Sequence, residues 1–123
     1  MSATFELEVQ NLRKTLLAEA ALVEEAIDLA IRAFMERDDA LAQRVIDGDH
    51  EIDSKEIEVE EECLKILALH QPVAKDLRFI VAVLKMNNDL ERMGDIAVSI
   101  SRRAIFLARR GHANGLRHEI QGM

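Results

Sequence analysis

One cysteine, one proline, five glycines and no tyrosine or tryptophan occur in this chain of 123 residues. Cys63 has no second thiol to pair with, which excludes an intrachain disulfide framework; in a helical run it reads as a small buried hydrophobe of a reducing compartment. So little glycine and proline leaves too few turns for an all-β or α/β chain. Four phenylalanines (Phe5, Phe34, Phe79, Phe106) and a net charge of −7, from 23 acidic and 16 basic side chains, argue against a nucleic-acid binder, which needs clustered cations and stacking platforms. No stretch approaches the roughly 18 consecutive apolar residues of a membrane span. The opening MSATFELEVQ has neither the cationic start nor the apolar run of a signal peptide. A soluble cytoplasmic protein is expected. Catalytic signatures are missing as well: G-x-S-x-G, G-x-G-x-x-G, a Walker-type loop and H-E-x-x-H do not occur.

What is present is Leu, Ile, Val, Ala and Met at helical spacing. Phe5, Val9, Leu12, Leu16, Ala20, Val23, Ile27, Ile31 and Phe34 keep one stripe on a first helix. Asp38 or Asp39 is a natural N-cap for a second, whose stripe is Leu41, Val45, Ile52, Val59, Cys63 and Ile66. That helix should stop near His70, because Pro72 disfavours helical geometry at Gln71 and suits the first turn of the next helix. The third stripe, Phe79, Val83, Met86, Leu90, Met93, Ala97, Ile100, Ala104 and Leu107, alternates steps of four and three, the repeat of a left-handed supercoil. Past Arg110, around Gly111 and Gly115, the pattern dissolves. The expected fold is all-α, an elongated antiparallel three-helix bundle over residues 1–110, with helices of about 30 to 35 residues.

Charge is uneven along this plan. Nine acids crowd the segment from Asp47 to Glu62 with only Lys55 among them, and the C-terminal end collects Arg102, Arg103, Arg109, Arg110 and Arg117. A solvated acidic face and cations at a helix C-terminus account for much of this. The run from Asp47 to Ile52 fails as a calcium loop, since its sixth position needs Gly. His50, His70, His112 and His118 sit apart and read as surface or helix-end residues. Two acids at i and i+4 stack on one helix face and can share a hard cation. Six such pairs occur, against about four expected by chance, so number decides nothing. Placement selects two of them. Glu91 and Asp95 lie beside the stripe Leu90–Met93–Ala97, Asp49 and Asp53 flank Ile52, and each pair adjoins a mid-helix glycine, Gly94 or Gly48. A glycine there costs about 1 kcal/mol against Ala unless something approaches the backbone. A metal site between two helices and an exposed ion-pair network both fit these residues. No Glu-x-x-His spacing of the kind used by di-metal helical enzymes occurs, so no enzyme is expected.

The third helix carries a family resemblance. Gln71-Pro72-Val73-Ala74-Lys75-Asp76-Leu77-Arg78, then Leu84-Lys85-Met86 and Asp89-Leu90-Glu91-Arg92-Met93-Gly94-Asp95-Ile96-Ala97, resembles the PhoU family of bacterial phosphate-uptake and phosphate-signalling regulators. Asp49-His50-Glu51-Ile52-Asp53 and the segment from Glu56 to Leu67 fit that family's second helix, and the likeness runs from about Phe5 to Leu107. It implies metal ions, iron or zinc first and magnesium or manganese after them, held by E/D-x-x-x-D motifs; the ligands here would be Asp49, Asp53, Glu91 and Asp95. Arg78 and Arg92 would neutralise the same acids in a metal-free protein. It further implies negative regulation of phosphate transport and of the phosphate regulon, by contact with the phosphate ABC transporter ATPase and a sensor histidine kinase. Arg92 would be exposed beside that contact surface, unless it pairs within the helix with Asp89 or Asp95. Membrane contact would then be indirect, through those partners. Family members typically hold two three-helix repeats, and this chain holds one resembling the first. Residues 111–123 would thus be a C-terminal tail or the start of a second repeat, and a homodimer would restore the two-repeat arrangement.

Overall fold

The computed structural model describes residues 3–121, with side chains as far as Gly111. Three antiparallel helices, α1 (Ala3–Glu36), α2 (Asp39–His70) and α3 (Ala74–Gln121), each pack against the other two, so the expected bundle is the fold. At 48 residues α3 is longer than the spacing suggested. It continues through Gly111 and Gly115, because a glycine weakens a helix without ending it and no proline follows. The side chains of His112, Arg117 and His118 lie outside the described residues.

The turns follow local chemistry. Arg37, at φ 56°, ends α1, and the Asp38 carboxylate then accepts from the Leu41 N–H at 3.0 Å as the α2 N-cap. Gln71 closes α2 at φ 44°, its N–H donating to the Leu67 carbonyl at 3.2 Å. Pro72 is buried in the connection and precedes α3 by two residues, rather than sitting in its first turn.

Every residue of the expected α2 stripe is buried. In α1 and α3 the buried face is rotated from expectation. The core receives Phe5, Leu12, Glu19, Val23, Ala30 and Ala33 from α1, and Ile80, Val83, Asn87, Gly94, Ala97, Ser101 and Ala104 from α3. Met86 and Met93, expected inside, are 44% and 42% exposed, and Ile31 and Phe34 are exposed too. Small side chains on the inner face let the helices approach closely, and the bulkier neighbours turn to the outer α1–α3 seam.

The core divides along its length. One end is bulky, with Phe5, Leu12, Val59, Cys63, Ile66, Ile80 and Val83. The other is built largely of alanine, with Ala30, Ala33, Ala42, Ala97 and Ala104 packed around Val45 and Leu41. Along the helices Glu19, Glu56 and Asn87 fall between these two ends. Gly94 faces α2: a Cβ there would stand 3.5 Å from Ile52 Cγ2, an ordinary van der Waals contact that leaves room for a methyl group. Gly48 faces open space, since nothing lies within 4 Å of the place a methyl would take; it borders a 140 Å³ groove between α1 and α2. Gly48→Ala should therefore stabilise the bundle by about 1 kcal/mol in urea unfolding, and a destabilised variant would contradict the open space.

Candidate carboxylate site

Glu19 stands on the inner face of α1 because Phe5, Leu12 and Glu19 are spaced by seven and Val23 follows by four, which keeps all four toward the core. It is completely buried and neither carboxylate oxygen has a hydrogen-bond partner. Burial, and after it the nearby Glu91 charge, pushes its pKa up to about 7. Glu56, one turn beyond Ile52 on α2, is also raised to about 7, by burial first and then by a hydrogen bond and charge repulsion with Glu91; Glu19 and Asp53 add to it. Asn87 of α3 donates its Nδ2 to the Glu56 main-chain oxygen at 3.0 Å and leaves its own Oδ1 unpartnered. All three helices thus contribute oxygen acceptors to one partly buried layer that holds few donors.

Two turns along α2 from Glu56, the Asp49 carboxyl is raised by burial and then by Asp53 and Asp95, while Arg102 and His50 partly offset the repulsion. Asp49 Oδ1 is 3.8 Å from the position a Gly94 Cβ would take, so the carboxylate reaches across the α2–α3 seam. Of the four acids named from the sequence, Asp53 on the same helix and Asp95 across the seam thus act on Asp49, and Glu91 acts on Glu56 and Glu19. Among the described residues, no three His, Cys, Asp or Glu side chains are gathered as a ready metal-ligand cluster. No ion pair within 4 Å among those residues involves Arg78 or Arg92. The cation whose field reaches Asp49 is Arg102.

Glu19, Glu56 and Asn87 were not singled out from the sequence, although a signal existed. Each interrupts a three-four core pattern: Leu12–Glu19–Val23, Ile52–Glu56–Val59 and Val83–Asn87–Gly94. A polar residue at such a position is buried by register, whatever its own preference.

The sequence matches the PhoU domain over residues 16–104. Among curated proteins it is 43% identical to a phosphate-specific transport system accessory protein PhoU homolog of Pseudomonas putida, over 92% of this chain and 44% of that protein. It is 45% identical to the Aquifex aeolicus homolog, over 82% of this chain and 46% of that protein. To the Escherichia coli accessory protein PhoU it is 36% identical, over 85% of this chain and 44% of that protein. The crystal structure of PhoU from Pseudomonas aeruginosa superposes with a TM-score of 0.85 at 43% identity, covering 87% of this chain and 51% of that one. The chain spans about half the length of the relatives it matches.

Proposed function

The chain belongs to the PhoU family, and on that premise we propose that it is a metal-binding regulator of phosphate uptake rather than an enzyme. It acts in the cytoplasm by contact with the phosphate ABC transporter ATPase and a sensor histidine kinase, and lowers transport and regulon output when phosphate is plentiful. The relatives' shared description as phosphate-specific transport accessory proteins supports the regulatory role. Among the described residues no helix is long and apolar enough to cross a membrane.

The observation that supports the cation site is the set of like charges at the α2–α3 seam, Asp49 and Asp53 against Asp95, with Glu91 one turn before Asp95 on α3 and acting on Glu56 and Glu19. An all-oxygen donor set suits a hard cation, magnesium, manganese or ferric iron, and carboxylates also serve zinc. Asp49, Asp53, Glu91 and Asp95 would hold it, and its charge would offset the repulsion that raises Asp49. The absence of a gathered three-residue ligand cluster among the described residues favours a second reading, a metal-free helical adaptor. Elemental analysis of the purified full chain separates the two. Bound metal should be present in the parent and lost in Glu91→Ala/Asp95→Ala, and equal stoichiometry in both overturns the site. Capture of the ATPase and the kinase from a phosphate-replete lysate tests the regulatory role.

We further propose that two copies pair through the α1–α3 seam, reproducing the length of the longer relatives. A 320 Å³ groove there is lined by Ala20, Val23, Ile27, Leu90 and Met93, with Glu24 and Asp28 at its α1 side, and exposed Leu17, Ile31 and Met86 extend its apolar surface.

A further inference from the structure

The outward face of α3, away from both neighbouring helices, carries a different chemistry from the rest of the molecule. Five cations, Arg78, Lys85, Arg92, Arg103 and Arg110, are all exposed on it. Steps of three and four connect them through Val81, Asn88, Ile96, Ser99 and Phe106, so the ten positions form one ridge about 48 Å long. No acid occupies any of the ten, in a chain whose net charge is −7. No ion pair within 4 Å among the described residues involves any of these cations. Between them Val81 is 40% exposed, Ile96 55% and Phe106 49%. The Phe106 ring lies under two guanidinium groups, Arg103 at 5.4 Å and Arg110 at 6.0 Å from its centroid, which holds an apolar body between charges that point to solvent.

We propose that this ridge is a docking surface for an anionic lipid bilayer. The charge is complementary, and the shape selects this occupant. A partner helix needs a groove for its apolar anchors, whereas the grooves found among the described residues between α1 and α2 and between α1 and α3 lie on other faces. A convex line of cations with intervening apolar side chains instead suits a flat surface, cations at the phosphates and Phe106 and Ile96 at the headgroup boundary. The ridge is about 100° around α3 from Met86 and Met93, so the pairing seam stays free. Direct lipid contact goes beyond the membrane contact through partner proteins that the sequence suggested.

The test is co-sedimentation of the full chain with vesicles of equal parts phosphatidylglycerol and phosphatidylcholine, against phosphatidylcholine alone. The chain should pellet with the anionic vesicles only, and less as salt rises. Lys85→Glu/Arg92→Glu/Arg103→Glu should weaken that partition by at least about tenfold, while Arg44→Glu on α2 leaves it unchanged, with helix content preserved in both. Failure to pellet with anionic vesicles overturns the proposal and leaves an acidic protein surface as the occupant. Equal binding to phosphatidylcholine, or full binding by the triple variant, overturns it as well.

Discussion

Glu19→Met should raise the stability of the bundle at pH 8 by about 3 kcal/mol, near 10 °C in the thermal midpoint. Glu19 is wholly buried, its oxygens are unpartnered, and its pKa stands at about 7 in place of the ordinary 4.5. A folded-state pKa above the unfolded one means that the folded chain holds the proton more tightly. The group therefore costs nothing below pH 4.5. Its penalty grows as pH rises from there to about 7 and is constant above, where burial of the charge is no longer relieved by protonation. Met fills a similar volume between Leu12 and Val23 without a charge, so the gain should shrink to under about 1 kcal/mol of electrostatic origin at pH 5. Removing Glu19 also removes one of the charges that raise Glu56, which flattens the pH dependence further. Urea unfolding at pH 5 and pH 8 measures both effects. A variant no more stable than the parent at pH 8 would overturn the buried-charge penalty assigned to Glu19.

The burial of that carboxylate follows from helix register, and register is what the sequence conveyed least well. For α2 the stripe Leu41, Val45, Ile52, Val59, Cys63 and Ile66 was legible because acids crowd the positions around its middle, from Asp47 to Glu62, and leave one face to bury there. On α1 apolar residues occupy more of the circumference, and on α3 two apolar sets compete for the inner face. The expected α3 stripe shares Val83, Ala97 and Ala104 with the observed core, but its Phe79, Met86 and Met93 obey the same three-four spacing as the buried Ile80 and Gly94, and hydrophobicity alone favours the bulkier set. The inner face went instead to smaller residues, with Gly94 facing Ile52 and Ala33, Ala42 and Ala104 clustered together, while Met86 and Met93 stayed exposed. The caps were readable at Asp38, where side-chain chemistry is local, and less so at Pro72, whose place depends on how Gln71 leaves α2. In the carboxylate site, the i and i+4 pairs followed from helical geometry. Their cross-helix partners did not, since Glu19 and Glu56 join Glu91 only through the packing of three helices.

The rotated register also supplies the last expected result: Met93→Glu should convert a dimer into a monomer. With the small residues turned inward, the α1–α3 seam presents Met86 and Met93 from α3 and Leu17 and Ile31 from α1, all exposed in the single chain. The proposed two-fold pairing sets each seam against its copy, and Met93 enters that contact at the groove it lines with Leu90 and Ile27. Every substitution is then made twice, and two unpaired carboxylates enter one apolar interface. The cost of even one uncompensated buried charge, about 3–5 kcal/mol, weakens association by at least about a hundredfold. In the separated chain the same glutamate sits on an exposed position and leaves the core of Val83, Ala97 and Ala104 intact, so helix content and unfolding midpoint should hold. Light scattering at micromolar concentration should give twice 13.9 kDa for the parent and 13.9 kDa for the variant. A parent that is monomeric under those conditions removes the pairing. A variant that remains dimeric places the contact on another face of the bundle.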